Sequence, residues 1–150
     1  MKRFTLALSA TVGLFLALPA AAQFQKPEDA IKYRKSAFTV MGSHFGRIGA
    51  VVQGKAPFDA KTVADNAQIV ATMSMLPFAG FVPGSDKGDT RAKPEVWTEM
   101  DKVKAGATKM QEAITALNAA AKTGNLDQIK VAFGEAGKTC KGCHDNYRKD

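Results

Sequence analysis

The chain has 150 residues, a length that suits one domain built around a single core. Its 21 lysines and arginines outnumber its 14 aspartates and glutamates, which gives a formal net charge of +7. Because the lysines are scattered and form no continuous run, the charge does not indicate nucleic-acid binding. It predicts a solvated basic surface that can steer acidic partners.

The first 22 residues predict a cleaved secretory signal peptide. A positive start at Met1–Arg3 precedes a mostly apolar run from Phe4 to Leu18, and Ala20–Ala22 supplies the small residues of a cleavage site. The apolar run is shorter than a bilayer span usually needs, so we expect no membrane anchor. Residues 23–150 then form the mature, exported domain.

Between residues 27 and 150, apolar residues recur at alternating steps of three and four, the pattern of amphipathic helices. We predict a first helix from Pro27 to a stop at Gly54–Pro57, a second from Ala60 to Ala79 capped by Asp59, a third from Pro94 to Gly124, and a fourth from Asn125 or Asp127. The sequence shows no β-pattern. It therefore predicts an all-α chain folded as an antiparallel four-helix bundle, which commonly places cofactors between facing helices.

Two segments depart from the simplest bundle. The link Gly80–Lys93 is long and rich in turn residues, and a loop of this length in a small domain is usually functional or mobile. The apolar residues of the second helix spread over more than one stripe. That helix is either an ordinary core helix with exposed methionine or one that buries a second face against another subunit.

The chemistry is concentrated in Cys140–His144, which reads C-K-G-C-H and contains the only two cysteines of the chain. C-x-x-C-H is the attachment signature of c-type haem. Thiols three residues apart lie on one helical face and can each form a thioether with a porphyrin vinyl group, while His144 can bind the iron. The motif falls on the inward stripe of the fourth helix, so the bundle is predicted to hold haem c in its core.

Two alternatives compete with haem. A zinc site normally takes four ligands, and outside the motif the chain offers only His44 as a further Cys or His. A thioredoxin-type cysteine pair expects a β-α-β setting, and no segment here alternates strand with helix.

The mature chain resembles the cytochrome c′ family, the class II c-type cytochromes, along essentially its whole length. The resemblance rests on the C-terminal position of C-x-x-C-H, the Asp145–Arg148 tail, the Tyr33-Arg34 pair, the Met41–Arg47 run and the Pro94–Trp97 helix start. It implies a four-helix bundle, commonly a homodimer built from helices one and two. It also implies one covalently attached haem c per subunit, with His144 as the sole protein ligand to iron.

The resemblance places Phe38, four residues after Arg34, on the open side of the iron. In the low-spin branch of the family a methionine at this place ligates the iron. Phenylalanine has no donor atom, so we expect a five-coordinate iron beneath an apolar ring, although Phe38 also suits plain core packing. Met41, one turn on, is the alternative sixth ligand, but methionine at this spacing more often packs.

Arg34 and Arg148 are the charged side chains expected at the haem. Arg34 interrupts the apolar stripe of the first helix, and the resemblance assigns it to a haem propionate; the alternative is a rim arginine whose stem packs while its guanidinium reaches water. Arg148 lies on the same helical face as His144. It is expected beside the proximal imidazole, or as a solvated cation at the helix end.

The remaining candidates are uncharged. Phe78, Phe81 and Trp97 are expected in the haem wall, although each could be simple core. His44 falls beside the inner stripe and is predicted to be a surface histidine.

These features predict a periplasmic haem protein of a Gram-negative bacterium that binds nitric oxide, and also carbon monoxide, at a five-coordinate ferrous iron. Bound dioxygen needs a nearby hydrogen-bond donor, which Phe38 and Met41 do not offer. The alternative is a soluble periplasmic electron carrier with a six-coordinate His/Met haem and an unidentified redox partner. We expect no enzymatic role; weak nitric oxide reductase or peroxidase activity ranks last because no acid-base residue appears at the helix-one positions facing the iron.

Overall fold

A computed structural model describes residues 23–150 of the chain, so the predicted signal peptide lies outside the described residues. The described part forms the helices α1 (Pro27–Val52), α2 (Ala60–Met73), α3 (Glu95–Thr98), α4 (Met100–Lys122) and α5 (Leu126–Tyr147), with a 3-10 turn at Pro77–Gly80. Within residues 23–150, no helix combines the length and apolar character needed to cross a membrane.

The helix ends confirm the capping residues predicted from the sequence. Asp59 accepts a hydrogen bond from the backbone N–H of Thr62 at the start of α2. Asn125 accepts from the backbone N–H groups of Asp127 and Gln128 at the start of α5. Such caps satisfy amide groups that have no partner inside the helix. Gly124 has φ +67°, a left-handed conformation that glycine adopts at low cost and that ends α4.

Two predicted boundaries were wrong. The second helix ends at Met73 instead of Ala79. Pro77 lacks a backbone N–H and restricts the residue before it, so the chain turns through the 3-10 segment Pro77–Gly80. The third helix does not run unbroken from Pro94 either, because Glu99 (φ −120°) separates the short α3 from α4.

The four long helices close into a bundle in which α1 packs on α2, α2 on α4, α4 on α5, and α5 on α1. Fully buried aliphatic residues fill one end of it, among them Ile48, Val63, Leu117 and Ile129. The predicted all-α antiparallel four-helix bundle is confirmed. The opposite end, where α1 begins and α5 finishes, surrounds a cavity.

Candidate functional site

A cavity of about 490 Å³ lies between α1, α4, α5 and the loop that joins α2 to α4. This volume falls in the range of roughly 300–1,000 Å³ that is typical of cofactor sites. Its lining includes the apolar side chains of Val70, Val103, Met110 and Ile114. The cavity therefore suits a large apolar group.

All three side chains of the predicted attachment motif line this cavity. Cys140, Cys143 and His144 lie on the last turns of α5, and both thiols are free and half-buried. Burial raises the pKa of each thiol. Burial and, after it, the charge of Arg148 lower the pKa of His144, which favours the neutral imidazole that binds metals.

These observations fit haem c. Two thiols and an imidazole face one apolar cavity of cofactor size, which is the donor set and the setting that covalent haem attachment requires. Within residues 23–150, no three His, Cys, Asp or Glu side chains gather into a metal-ion cluster. His44 lies away from the cavity. It is half-buried, and its Nδ1 lies 2.7 Å from Asn66 Oδ1 on α2.

Aromatic and sulfur side chains form the wall opposite the motif. Phe38 on α1 lines the cavity, with Phe78 edge-on at 5.9 Å between ring centroids and Phe81 at 6.5 Å. Met41 lines it one turn further along and is 7% exposed. The structure thus brings Phe38, Met41, Phe78 and Phe81 together in the lining of one cavity, and their roles toward haem stay predictions.

Trp97 is the exception among the predicted wall residues, since it is not part of the cavity lining. It lies behind Phe81, with 5.9 Å between the ring centroids, and its Nε1–H donates to the carbonyl of Val82. The indole hydrogen bond draws Trp97 toward the loop, so it supports the wall from outside.

Arg34 is 2% exposed and ties α1 to the loop. Its Nη1 donates to Gly80 O (2.6 Å) and Ser85 Oγ (2.7 Å), and its Nη2 donates to Ser85 O (2.7 Å) and Thr90 Oγ1 (2.8 Å). These four acceptors are neutral, and burial lowers the pKa of the guanidinium. The guanidinium also lies over the Phe81 ring, 4.7 Å from its centroid.

Arg34 lines the cavity as well, with Nε–H as the one guanidinium donor for which residues 23–150 supply no acceptor. The hydrogen bond from Arg34 to a haem propionate stays a prediction. The rim position offered as its alternative was wrong, because the guanidinium is buried in the loop and does not reach water.

The C-terminal tail pairs with the loop at the mouth of the cavity. Lys149 N donates to Arg91 O (2.7 Å), Lys93 N donates to Tyr147 O (2.9 Å), and Ala92 and Arg148 form an antiparallel bridge. Arg148 is exposed and lines the cavity, and its Nη1 lies 3.5 Å from His144 Nδ1, at the outer limit of a hydrogen bond.

Sequence reasoning missed Gly80, Ser85, Thr90 and Arg91. Thr90 and Arg91 line the cavity, and Ser85, within the same loop, is 0% exposed. The signal that pointed to this segment was its length, but length identifies no individual residue.

Comparison with known proteins is consistent across sequence and structure. The family model described as Cytochrome C′ matches residues 29–148. Cytochrome c′ of Rubrivivax gelatinosus is 56% identical over 128 residues, which cover 85% of this chain and 99% of the relative. Its crystal structure superimposes with a TM-score of 0.82 at 55% identity, covering 85% of this chain and 100% of that one. Cytochrome c prime from Shewanella frigidimarina gives a TM-score of 0.83 at 45% identity, covering 85% and 99%. The chain belongs to the cytochrome c′ family, whose members carry covalently bound haem c.

Proposed function

We propose that this protein is a periplasmic haem protein that binds nitric oxide and carbon monoxide at a five-coordinate iron. The observation that carries the proposal is the wall opposite His144, where Phe38 presents a ring without a donor atom. When bound, haem c supplies a redox-active iron with one coordination position left for a diatomic gas. Cys140 and Cys143 would hold it through thioethers, and His144 would bind its iron.

The wall discriminates among gases because Phe38, Met41, Phe78 and Phe81 carry no polar hydrogen, and the polar side chains of Thr39, Tyr147 and Lys35 already have protein partners. Thr39 Oγ1 donates to Lys35 O, Tyr147 OH donates to Glu99 Oε2, and Lys35 Nζ is paired with Asp89. A lining of this kind favours ligands that need no hydrogen bond, such as nitric oxide and carbon monoxide, over dioxygen. The crowding of Phe38, Phe78 and Phe81 slows larger ligands.

Relatives support the same ligand. Solved structures of cytochrome c prime variants from Alcaligenes xylosoxidans, at 47% or 48% identity to this chain, include complexes with nitric oxide. The residues that face the cavity here supply the chemical reason for extending gas binding to this chain.

Replacement of Phe38 tests whether its ring limits the access of gases to the open side of the iron, a role called the gate below. We expect Phe38→Ala to raise the association rate of carbon monoxide with the ferrous protein about tenfold, which corresponds to about 1.4 kcal/mol of barrier. Phe58→Ala is the matched control, because Phe58 is 40% exposed and does not line the cavity. An unchanged rate in Phe38→Ala, measured by flash photolysis, removes Phe38 from the gate.

One observation favours a second function, electron transfer by a haem whose iron is ligated by His144 and Met41. The thioether of Met41 lines the same cavity. The visible absorption spectrum separates the two functions: a high-spin spectrum that changes with nitric oxide supports gas binding, and a low-spin spectrum indifferent to carbon monoxide supports the carrier. We propose no enzymatic activity, since Phe38 and Met41 offer no acid or base to the open side.

The outer face of α1 and α2 supports a homodimer. An apolar groove there is lined by Phe24, Tyr33, Val40, Met73 and Leu76. Val40 and Leu76 are 40% and 37% exposed, and Met75 beside them is 64% exposed. A second copy of the chain would remove this surface from water. Sedimentation should show a dimer that Val40→Glu converts to monomer, while Val131→Glu on α5 does not.

Export to the periplasm rests on the predicted signal peptide alone. Fractionation of cells that express the full chain should recover the haem protein with the periplasmic proteins, and recovery in the cytoplasm would contradict export.

A further inference from the structure

We propose that the mouth of the cavity docks an acidic redox protein through four cations, here called the cationic rim: Arg91, Lys93, Arg148 and Lys149. The proposal rests on the redox-active haem of the proposed function. It adds a surface and the chemistry of the partner that fits it.

Backbone pairing holds the cationic rim together. Lys149 N donates to Arg91 O at 2.7 Å, Arg91 Nε donates to Lys149 O at 3.1 Å, and Ala92 bridges to Arg148. Lys93 joins from the adjoining residue, where its Nζ donates to Asp145 O at 3.1 Å. The loop and the tail, more than 50 residues apart in the sequence, thus bring four positive charges to one place.

These cations differ from several of the lysines on the helices, although within residues 23–150 Lys32, Lys104, Lys109 and Lys122 also form no ion pair. Lys61, Lys102, Lys130 and Lys138 each form an ion pair with a carboxylate three or four residues away. Within residues 23–150, no member of the cationic rim forms such a pair. The neighbouring carboxylates of Asp89 and Asp145 are already paired with Lys35 and Lys141. Asp150, next to Lys149, is the acid that adjoins the rim.

The cationic rim also lies close to the predicted haem-attachment motif, where a redox partner would need to dock. Arg91 and Arg148 line the cavity together with Cys143 and His144, and Lys93 and Lys149 adjoin them on the loop and the tail. Uncompensated like charges repel one another and add nothing to folding, but they raise the encounter rate with a surface of opposite sign. An acidic protein that docks here would bring its own redox group to the edge of the bound haem.

The test is the rate at which the ferric holoprotein is reduced by a reduced, acidic ferredoxin in stopped flow. The variant is Lys93→Glu/Lys149→Glu. It lowers the net charge of the four rim residues from +4 to zero and changes no residue that lines the cavity. The control is Lys55→Glu/Lys122→Glu, an equal charge change at the other end of the bundle. We expect the rim variant to lose at least about tenfold in second-order rate at low salt and to lose most of its salt dependence, while the control stays within about twofold of the native protein.

Two outcomes would overturn the proposal. An equal fall in both variants would mean that net charge alone steers the reductant. The rim variant could also be reduced more slowly by the same factor with the ferredoxin and with cationic hexaammineruthenium(II), and show a shifted haem spectrum. That result would mean that the rim serves the haem propionates and not an acidic partner. Carbon monoxide binding is measured on the same samples. Carbon monoxide is neutral, so its binding does not depend on the charge of the rim. A native protein that fails to bind it contradicts the proposed function, and the proposed docking surface is then judged from the ferredoxin rates alone.

Discussion

The two walls of the cavity are built in opposite ways. The wall on α1 and the loop is centred on Arg34 and Ser85, which are 2% and 0% exposed. The wall on α5 carries Cys140, Cys143 and His144, which are half-buried or exposed. Thioether bonds need no packed protein to keep a cofactor in place, whereas a wall that makes no bond to the cofactor must be held by the protein's own contacts. The buried wall is therefore where folding and ligand access are most tightly coupled.

The largest effect is expected from breaking the buried wall at its centre. Arg34→Met keeps a long apolar stem but removes the guanidinium donors of Gly80 O and Ser85 O in a buried place. Since each unsatisfied buried group costs about 1–3 kcal/mol, the free energy of unfolding should fall by about 3 kcal/mol or more. Denaturation of the holoprotein with guanidinium chloride measures this loss of unfolding free energy. Amide hydrogen exchange should also become faster across residues 80–90.

Arg34→Lys is the control for the same position. It keeps the positive charge but cannot reproduce a planar fork with four donors, so we expect a smaller loss of stability and intermediate exchange. A cost below about 1 kcal/mol for Arg34→Met would contradict the assigned role, because it would mean that the loop finds other donors.

A glycine pair gives the next largest contrast. A Cβ at Gly80 would lie 2.7 Å from Ala30 O and 2.8 Å from Arg34 Cβ, so Gly80→Ala must push the loop away from α1. We expect a cost of about 1–3 kcal/mol, together with faster carbon monoxide binding as Phe81 withdraws. At Gly134, which is exposed within α5, an added Cβ would meet no atom within 4 Å, and Gly134→Ala should stabilise the protein by about 0.5–1 kcal/mol. The melting temperature should fall in Gly80→Ala and rise in Gly134→Ala. Equal changes in the two variants would contradict the close approach at Gly80.

The contrast between the walls also explains what could be predicted from sequence. The α5 wall depends on local spacing, so the pattern C-x-x-C-H is enough to predict Cys140, Cys143 and His144 on one face. The α1 stripe likewise predicts Phe38 and Met41 facing inward. Arg34 stands out in the sequence as unusual, but its acceptors Gly80 and Ser85 lie 46 and 51 residues along the chain. Contacts at such separations leave no periodic signal, and the position of Trp97 behind Phe81 was missed for the same reason.

The smallest expected effect lies on the exposed wall, where Tyr147 OH donates to Glu99 Oε2 at 2.8 Å and helps to hold the tail. Hydrogen bonds from Lys102 and then Tyr147 lower the pKa of Glu99 below its ordinary 4.5. The same bond to Glu99 raises the pKa of Tyr147 above its ordinary 10.0. A carboxylate with a lowered pKa stabilises the fold above its ordinary pKa and loses that contribution as the pH falls through the folded value. A phenol with a raised pKa stabilises the fold below its ordinary pKa and loses that contribution as the pH rises through the folded value.

The tail should therefore be held most firmly between those two ordinary values and loosen on either side. Hydrogen-exchange protection of the Lys149 amide, which donates to Arg91 O, reports this directly once it is corrected for intrinsic rates. At neutral pH the native protein should be a few-fold better protected than Tyr147→Phe, and the difference should shrink as the pH is lowered until Glu99 is protonated. A difference that persists at that pH would show that the Tyr147 hydroxyl acts through another partner.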